Sequence, residues 1–354
     1  MTTQNLTCLL ALALGASLTG CATTPAVDTG GGDDGSGDGS GSGSGDGSGT
    51  TPTPLDASGM YSMQSTFDIS TNMPGTVGDV VNTIISATDD PDDPTQWILD
   101  QIIANTSGTF HTLLADAEPF VAGYVNDQLL GIAPNFVTTM VQVGADFGDM
   151  AKHFGLNETL QISGTPGNYT SVHTVTGAHF KIGTDESDYA FSDYSVSNVV
   201  VNGVGVTMDT TGKLSIATHQ VPLAYGKVLR IGMDAAIIPL VDPNATDLAS
   251  LFADNIDCAA LGQTIADAIG FGGASIYEAG CHAGLTAGAN LIYSKIAAID
   301  AAALQFGLAG TAKAIDSNSD HKVDKLQTGA WTGTLSYSGA PSTLAPATFF
   351  GARM

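Results

Sequence analysis

The sequence predicts an α+β protein: a curved antiparallel β-sheet packed against amphipathic helices, with a disulfide-linked helical pair. Three observations carry that expectation. From residue 158 the apolar residues recur at every second position, in runs separated by short turns, which is the mark of antiparallel hairpins. Over 109–154 and again over 243–299 they recur at three- and four-residue spacing, the mark of helices lying on a core. Cys258 and Cys281 both fall in the second helical block. The length suits a single globular domain over 55–354.

Residues 9–18 (LLALALGASL) form the first apolar run. It is shorter than the roughly 20 residues that cross a bilayer, and small residues follow it, as in a signal peptide. Leu18-Thr19-Gly20-Cys21 resembles the lipobox of bacterial lipoproteins: Leu, two small residues, then Cys. The resemblance implies a signal peptide over 1–20, cleavage before Cys21, and acylation of Cys21 with palmitate-like chains. Ala22, where retained lipoproteins carry Asp, implies the outer membrane, on its periplasmic or surface face. The n-region MTTQNLTC departs from the pattern in having no Lys or Arg. Acyl chains contribute about 0.8 kcal/mol per buried methylene, so two or three of them anchor durably. Residues 28–54 are Gly, Ser and Asp with little to bury, so 21–54 read as a lipidated cysteine and a low-complexity linker.

The first strand is expected over 59–70, with Tyr61, Met63, Ser65, Phe67 and Ile69 on one face. Helical spacing follows over 76–88, and Asp89-Asp90-Pro91-Asp92-Asp93-Pro94 breaks it. Further helices are expected from Trp97, over 109–130 and over 133–154, with Pro134 in the first turn of the last. Its stripe of Phe136, Met140, Phe147 and Met150 reads as core, or as the lining of a groove for an apolar, lipid-like ligand. Strands are then expected over 158–164, 169–182, 189–208, 213–220 and 223–241. Helices fill 243–299, and strands return over 301–315, 324–338 and 345–352. Cys258 and Cys281, in an exported chain, read as one disulfide, with two buried free thiols as the alternative. Long helices on a curved sheet are similar in outline to tubular lipid-binding proteins.

The chain carries 35 acidic against 10 basic residues, and Lys152 is the first base. Nucleic acid needs a basic surface and is excluded as a partner. The same charge disfavours direct binding to anionic lipid, so membrane attachment falls to the anchor. Asp316-Ser-Asn318-Ser-Asp320-His-Lys-Val323-Asp324 resembles the DxDxDG calcium loop of EF-hands and dockerin repeats. The resemblance implies Asp316, Asn318, Asp320 and Asp324 as oxygen ligands for Ca2+. His321 stands where that pattern has Gly, and Gln327 where it has Glu; an ordinary Asx-rich hairpin loop is the alternative. The seven histidines are scattered, with His173 and His179 on one face of a strand. No catalytic motif is present. The reading is a membrane-anchored exported lipoprotein with a structural or surface-interaction role, or a carrier of an apolar ligand held between helices and sheet. A hydrolase, whose convergent Asp, His and Ser groups the sequence does not place, ranks well below both.

Overall fold

The computed structural model describes residues 54–75, 77–78, 134–270 and 273–354, all within the unit Pro52–Met354. Cys21, the signal peptide, the linker to residue 53, the acidic turn at 89–94, most of the helix expected over 76–88 and the helices expected from Trp97 and over 109–130 lie outside the described residues.

Ten strands follow one another: β1 (Gly59–Phe67), β2 (Phe154–Thr165), β3 (Asn168–Ile182), β4 (Asp185–Ala190), β5 (Val199–Met208), β6 (Lys213–Leu223), β7 (Leu304–Ile315), β8 (Lys325–Tyr337), β9 (Ala340–Thr343) and β10 (Ala347–Arg353). Strands β1, β2, β3, β5, β6, β7, β8 and β10 pair in that order, all antiparallel, and β10 also pairs with β1. The result is a closed eight-stranded barrel, with β4 added beside β3 and β9 beside β8. The expectation of a curved sheet packed against helices is thereby corrected. Hairpin periodicity is the same in an open and a closed sheet; closure depends on one long-range pairing, Tyr61 opposite Arg353, which no local pattern encodes.

Eight strands enclose a lumen about wide enough for side chains to fill. Tyr61, Met63, Ser65 and Phe67 point inward from β1, and Phe154, Leu156, Glu158, Leu160 and Ile162 from β2, all buried. Many outward positions are polar, among them Ser62, Gln64 and Thr66 on β1, Thr159 and Gln161 on β2, and Thr332 and Thr334 on β8, while Met60, Val200 and Phe350 are exposed apolar residues on β1, β5 and β10. A membrane-spanning barrel has the opposite arrangement, with an apolar wall. Among the described residues no helix is long and apolar enough to cross a membrane.

The helices gather at one end. Helix α1 (Pro134–Lys152) runs into β2; α2 (Tyr225–Ile231), a π-helical stretch Gly232–Ile237, α3 (Ile238–Val241), α4 (Leu248–Asn255), α5 (Cys258–Ile269) and α6 (Ala274–Ala298) join β6 to β7. That end is filled by Phe67, Phe154, Tyr225 and Phe306, whose rings lie 5.2–6.5 Å apart in edge-on and stacked pairs. The strand expected over 223–241 is helical from Tyr225. A continuous apolar run does not distinguish the two. What decides it is remote: the Asp300 carboxylate accepts from Gly226 N (2.8 Å) and Lys227 N (2.9 Å), capping α2 from the far side of the helical block. The strand expected over 189–208 is broken by a 3-10 turn at Phe191–Tyr194.

Cys258 and Cys281 form a disulfide joining α5 to α6, Cα atoms 5.6 Å apart. Closing this 23-residue separation stabilises by roughly 3 kcal/mol. The Cys258→Ser/Cys281→Ser variant is expected to unfold earlier in denaturant by that amount, with an unchanged m-value if native and denatured compactness are preserved.

The opposite end is crossed by the segment before β1. Asp56 N donates to His321 O, Val323 N donates to Asp56 O, and Ala57 N donates to the Tyr169 hydroxyl. Arg353 Nε donates to Val323 O (2.7 Å), and one of its terminal nitrogens donates to the Tyr61 hydroxyl (3.2 Å). Burial pushes the Tyr61 phenol up to about 12, against the pull of the guanidinium.

Candidate functional site

Five polar side chains meet in the middle of the lumen. Ser65 comes from β1, Glu158 from β2, His173 from β3, His219 from β6 and Trp331 from β8, and each is nine-tenths or more buried. Three β-bulges help aim them. In β3 the buried positions are odd-numbered up to Gly177 and even-numbered from Ala178, where the β2–β3 register shifts between Asn157 and Glu158. In β6 the inward face changes from Leu214 and Ile216 to His219 and Val221, across a shift between Ile216 and His219. In β8 a shift opposite Thr311/Lys313, with Thr328 at φ 49, precedes Trp331. A bulge moves every following side chain to the other face.

The first bulge corrects one expectation. His173 and His179 do not share a face: His173 is buried in the lumen, whereas His179 lies on the outside, where its Nδ1 is 2.9 Å from Asp188 Oδ1. The even spacing held only for an unbroken strand.

The hydrogen bonds run in one direction. Trp331 Nε1 donates to Ser65 Oγ (2.9 Å), and the Ser65 hydroxyl donates to Glu158 Oε2 (2.5 Å). On the other side, His219 Nδ1 lies 2.9 Å from Ala217 O, an acceptor only, so Nδ1 carries a proton. The neutral His219 Nε2 then accepts from His173 Nδ1 at 2.8 Å. That leaves His173 Nε2 and Glu158 Oε1 facing each other at 3.4 Å, both buried and neither hydrogen-bonded. Two bare acceptors this close repel. The tautomers are assigned from this network.

Packing seals the cluster. The His173 ring stacks on Trp331 with centroids 5.9 Å apart and 19° between planes, and Phe349 lies 4.4 Å from Trp331 on centroids. Gly310 makes room for the indole: a Cβ there would sit 2.5 Å from Trp331 Cζ3. Burial holds the His219 imidazole below its ordinary range, despite its bond to Ala217. The folded state thus binds fewer protons at His219 than the unfolded chain, whose His titrates near 6.5. Stability is full above that pH and falls as the pH drops below about 6.5. His219→Gln, which keeps an acceptor for His173, is expected to flatten the slope of melting temperature against pH between about 7 and 5.

The residues singled out from sequence lie elsewhere. Phe147 and Met150 are fully buried, and Met150 lies against Gly232 of the π-helical stretch. Phe136 and Met140 belong to α1, but their side chains are outside the described residues. In the β7–β8 loop Asp316 accepts from Ser319 N (2.7 Å) and His321 N (3.0 Å), Asn318 from Asp320 N, Asp320 from Lys322 N, and Asp324 from Ser317 N. These oxygens serve the backbone of their own loop, and His321 adopts the left-handed φ of 63 that the glycine of a calcium loop supplies. Among the described residues no group of three or more His, Cys, Asp or Glu could hold a metal ion.

Sequence reasoning did not assemble the buried cluster, yet one signal was present. Glu158 falls in phase with Phe154, Leu156, Leu160 and Ile162, and Ser65 in phase with Tyr61, Met63 and Phe67. A carboxylate on an apolar face needs a buried partner. Compared with family models, curated proteins and solved structures, the chain matches none.

Proposed function

We propose that this chain is a lipid-anchored exported lipoprotein whose barrel is a rigid structural or surface-interaction module. The observation that carries the reading is the filled lumen. All eight barrel strands carry buried inward side chains, and Gly310 lies against Trp331 and Gly351 against Met63 and Leu326. Helices and aromatic rings occupy one end, and the Asp56–Ala57 segment crosses the other. A barrel packed in this way has a fixed shape to present; a carrier of an apolar ligand held between helices and sheet is the second reading. The enclosed Glu158–His173–His219 cluster serves this rigidity. A buried polar cluster at the centre of an apolar core penalises any strand register that would separate its members.

The anchor rests on Leu18-Thr19-Gly20-Cys21 and on the acidic balance of the chain, which disfavours direct binding to anionic lipid. The outer membrane is the expected site. The test is metabolic labelling with palmitate followed by fractionation. The wild-type chain should label and sediment with the outer membrane, and Cys21→Ser should do neither. Labelling that persists in Cys21→Ser would refute the anchor.

A further inference from the structure

We infer that the outer wall of the barrel carries an anion site for a phosphate group, built on Lys213 and Lys313. These two residues are directly opposite each other in the antiparallel β6–β7 register, and both are exposed. Like charges placed opposite each other in a sheet destabilise it, and here the pair occurs in a chain with only 10 basic residues among 35 acidic ones. Among the described residues neither ammonium has a carboxylate within ion-pair distance, although Lys181 and Arg230 each do.

The pair borders a surface hollow of about 320 Å³ lined by Thr211, Lys213, Thr311, Ala312, Lys313 and Thr328. Its lining offers two cations and three hydroxyls, and no carboxylate. The bulge opposite Thr311/Lys313, with Thr328 at φ 49, shapes its floor. Lys325, next along β8 on the same face, adds a third cation opposite Ile315.

The neighbouring acids are engaged by hydrogen bonds of their own loops, and Asp209 also feels the charge of Lys213. Asp209 Oδ1 accepts from Thr211 N, the Thr211 hydroxyl and Lys213 N at 2.7–3.0 Å. These bonds, that of the Thr211 side chain first, hold its carboxyl below the usual range. Asp316 and Asp324 accept from backbone N–H groups of the β7–β8 loop. A tetrahedral oxyanion bridging the two ammonium groups would cancel their repulsion and use the Thr311 and Thr328 hydroxyls as donors. Phosphate fits in charge, and its several oxygens match the number of donors. The chemistry is shared by free phosphate, a soluble phosphate ester and a lipid headgroup.

The test uses the full chain with Cys21→Ser, so that acyl chains do not contribute. Inorganic phosphate titrated calorimetrically, at ionic strength held constant with sodium chloride, should give a saturable one-site isotherm. Lys213→Gln/Lys313→Gln should weaken it at least about tenfold, the loss expected for hydrogen bonds to charged groups, with melting temperature equal or raised. Lys213→Arg/Lys313→Arg should restore binding and thereby separate charge from fold. Competition by glycerol phosphate would assign a soluble ester. Cosedimentation with phosphatidylglycerol–phosphatidylcholine vesicles, lost in the glutamine variant, would assign a headgroup; binding of inorganic phosphate alone would assign the free ion. No saturable heat, or equal heat from the glutamine variant, would overturn the proposal.

Discussion

Glu158→Ala is expected to lower the free energy of unfolding by about 3–5 kcal/mol, the cost of breaking a buried charge-bearing pair by removing one partner. The variant leaves His173 Nε2 without the group that faces it at 3.4 Å, and it strips the Ser65 hydroxyl of its 2.5 Å acceptor. Glu158→Gln is expected to behave in the opposite way. Its amide oxygen still accepts from Ser65, and its N–H donates across the 3.4 Å gap to His173 Nε2, so every bond is kept without an ionisable carboxyl. Its stability should lie within about 1 kcal/mol of wild type, the worth of a typical hydrogen bond. Urea midpoints of the two variants decide the matter. A glutamine variant as damaged as the alanine one would mean that His173 Nε2 already carries its own proton in the neutral ring, and the assignment of donors along the network would be wrong.

Trp331→Ala carries a comparable expected loss, about 3–5 kcal/mol for a fully buried aromatic. The indole is the hub of the lumen: it donates to Ser65 Oγ and packs against His173, His219 and Phe349. Its removal opens a cavity beside two imidazoles and takes away the donor to Ser65 Oγ. Trp331→Phe keeps most of the packing and loses only the N–H, so it should cost about 1–3 kcal/mol. Denaturant melts of the two variants give the separation between cavity and hydrogen bond.

Local pattern made much of the sheet legible. The runs read at 169–182, 213–220 and 324–338 correspond to β3, β6 and β8 within a few residues, and the inward face of β1 follows its alternation. The disulfide was legible because Cys258 and Cys281 are the two cysteines beyond the N-terminal segment, whose resemblance to a signal implies an oxidising compartment. Closure was not, because Tyr61 meets Arg353 across nearly the whole domain. The site was not, because each bulge changes which face a later residue occupies, and the pattern of β3 contains no mark at Gly177 that separates a bulge from a plain glycine. Helix α2 was misread for a related reason: its cap, Asp300, comes from 74 residues away.

The measurement closest to the central claim, a barrel filled by its own side chains, is native mass spectrometry of the chain purified from membranes in mild detergent. The predicted mass is that of the polypeptide with its disulfide and the acyl chains on Cys21, unchanged when the folded and acid-unfolded samples are compared. A stoichiometric apolar molecule, released only on unfolding and bound as well by the Cys21→Ser chain, would contradict it.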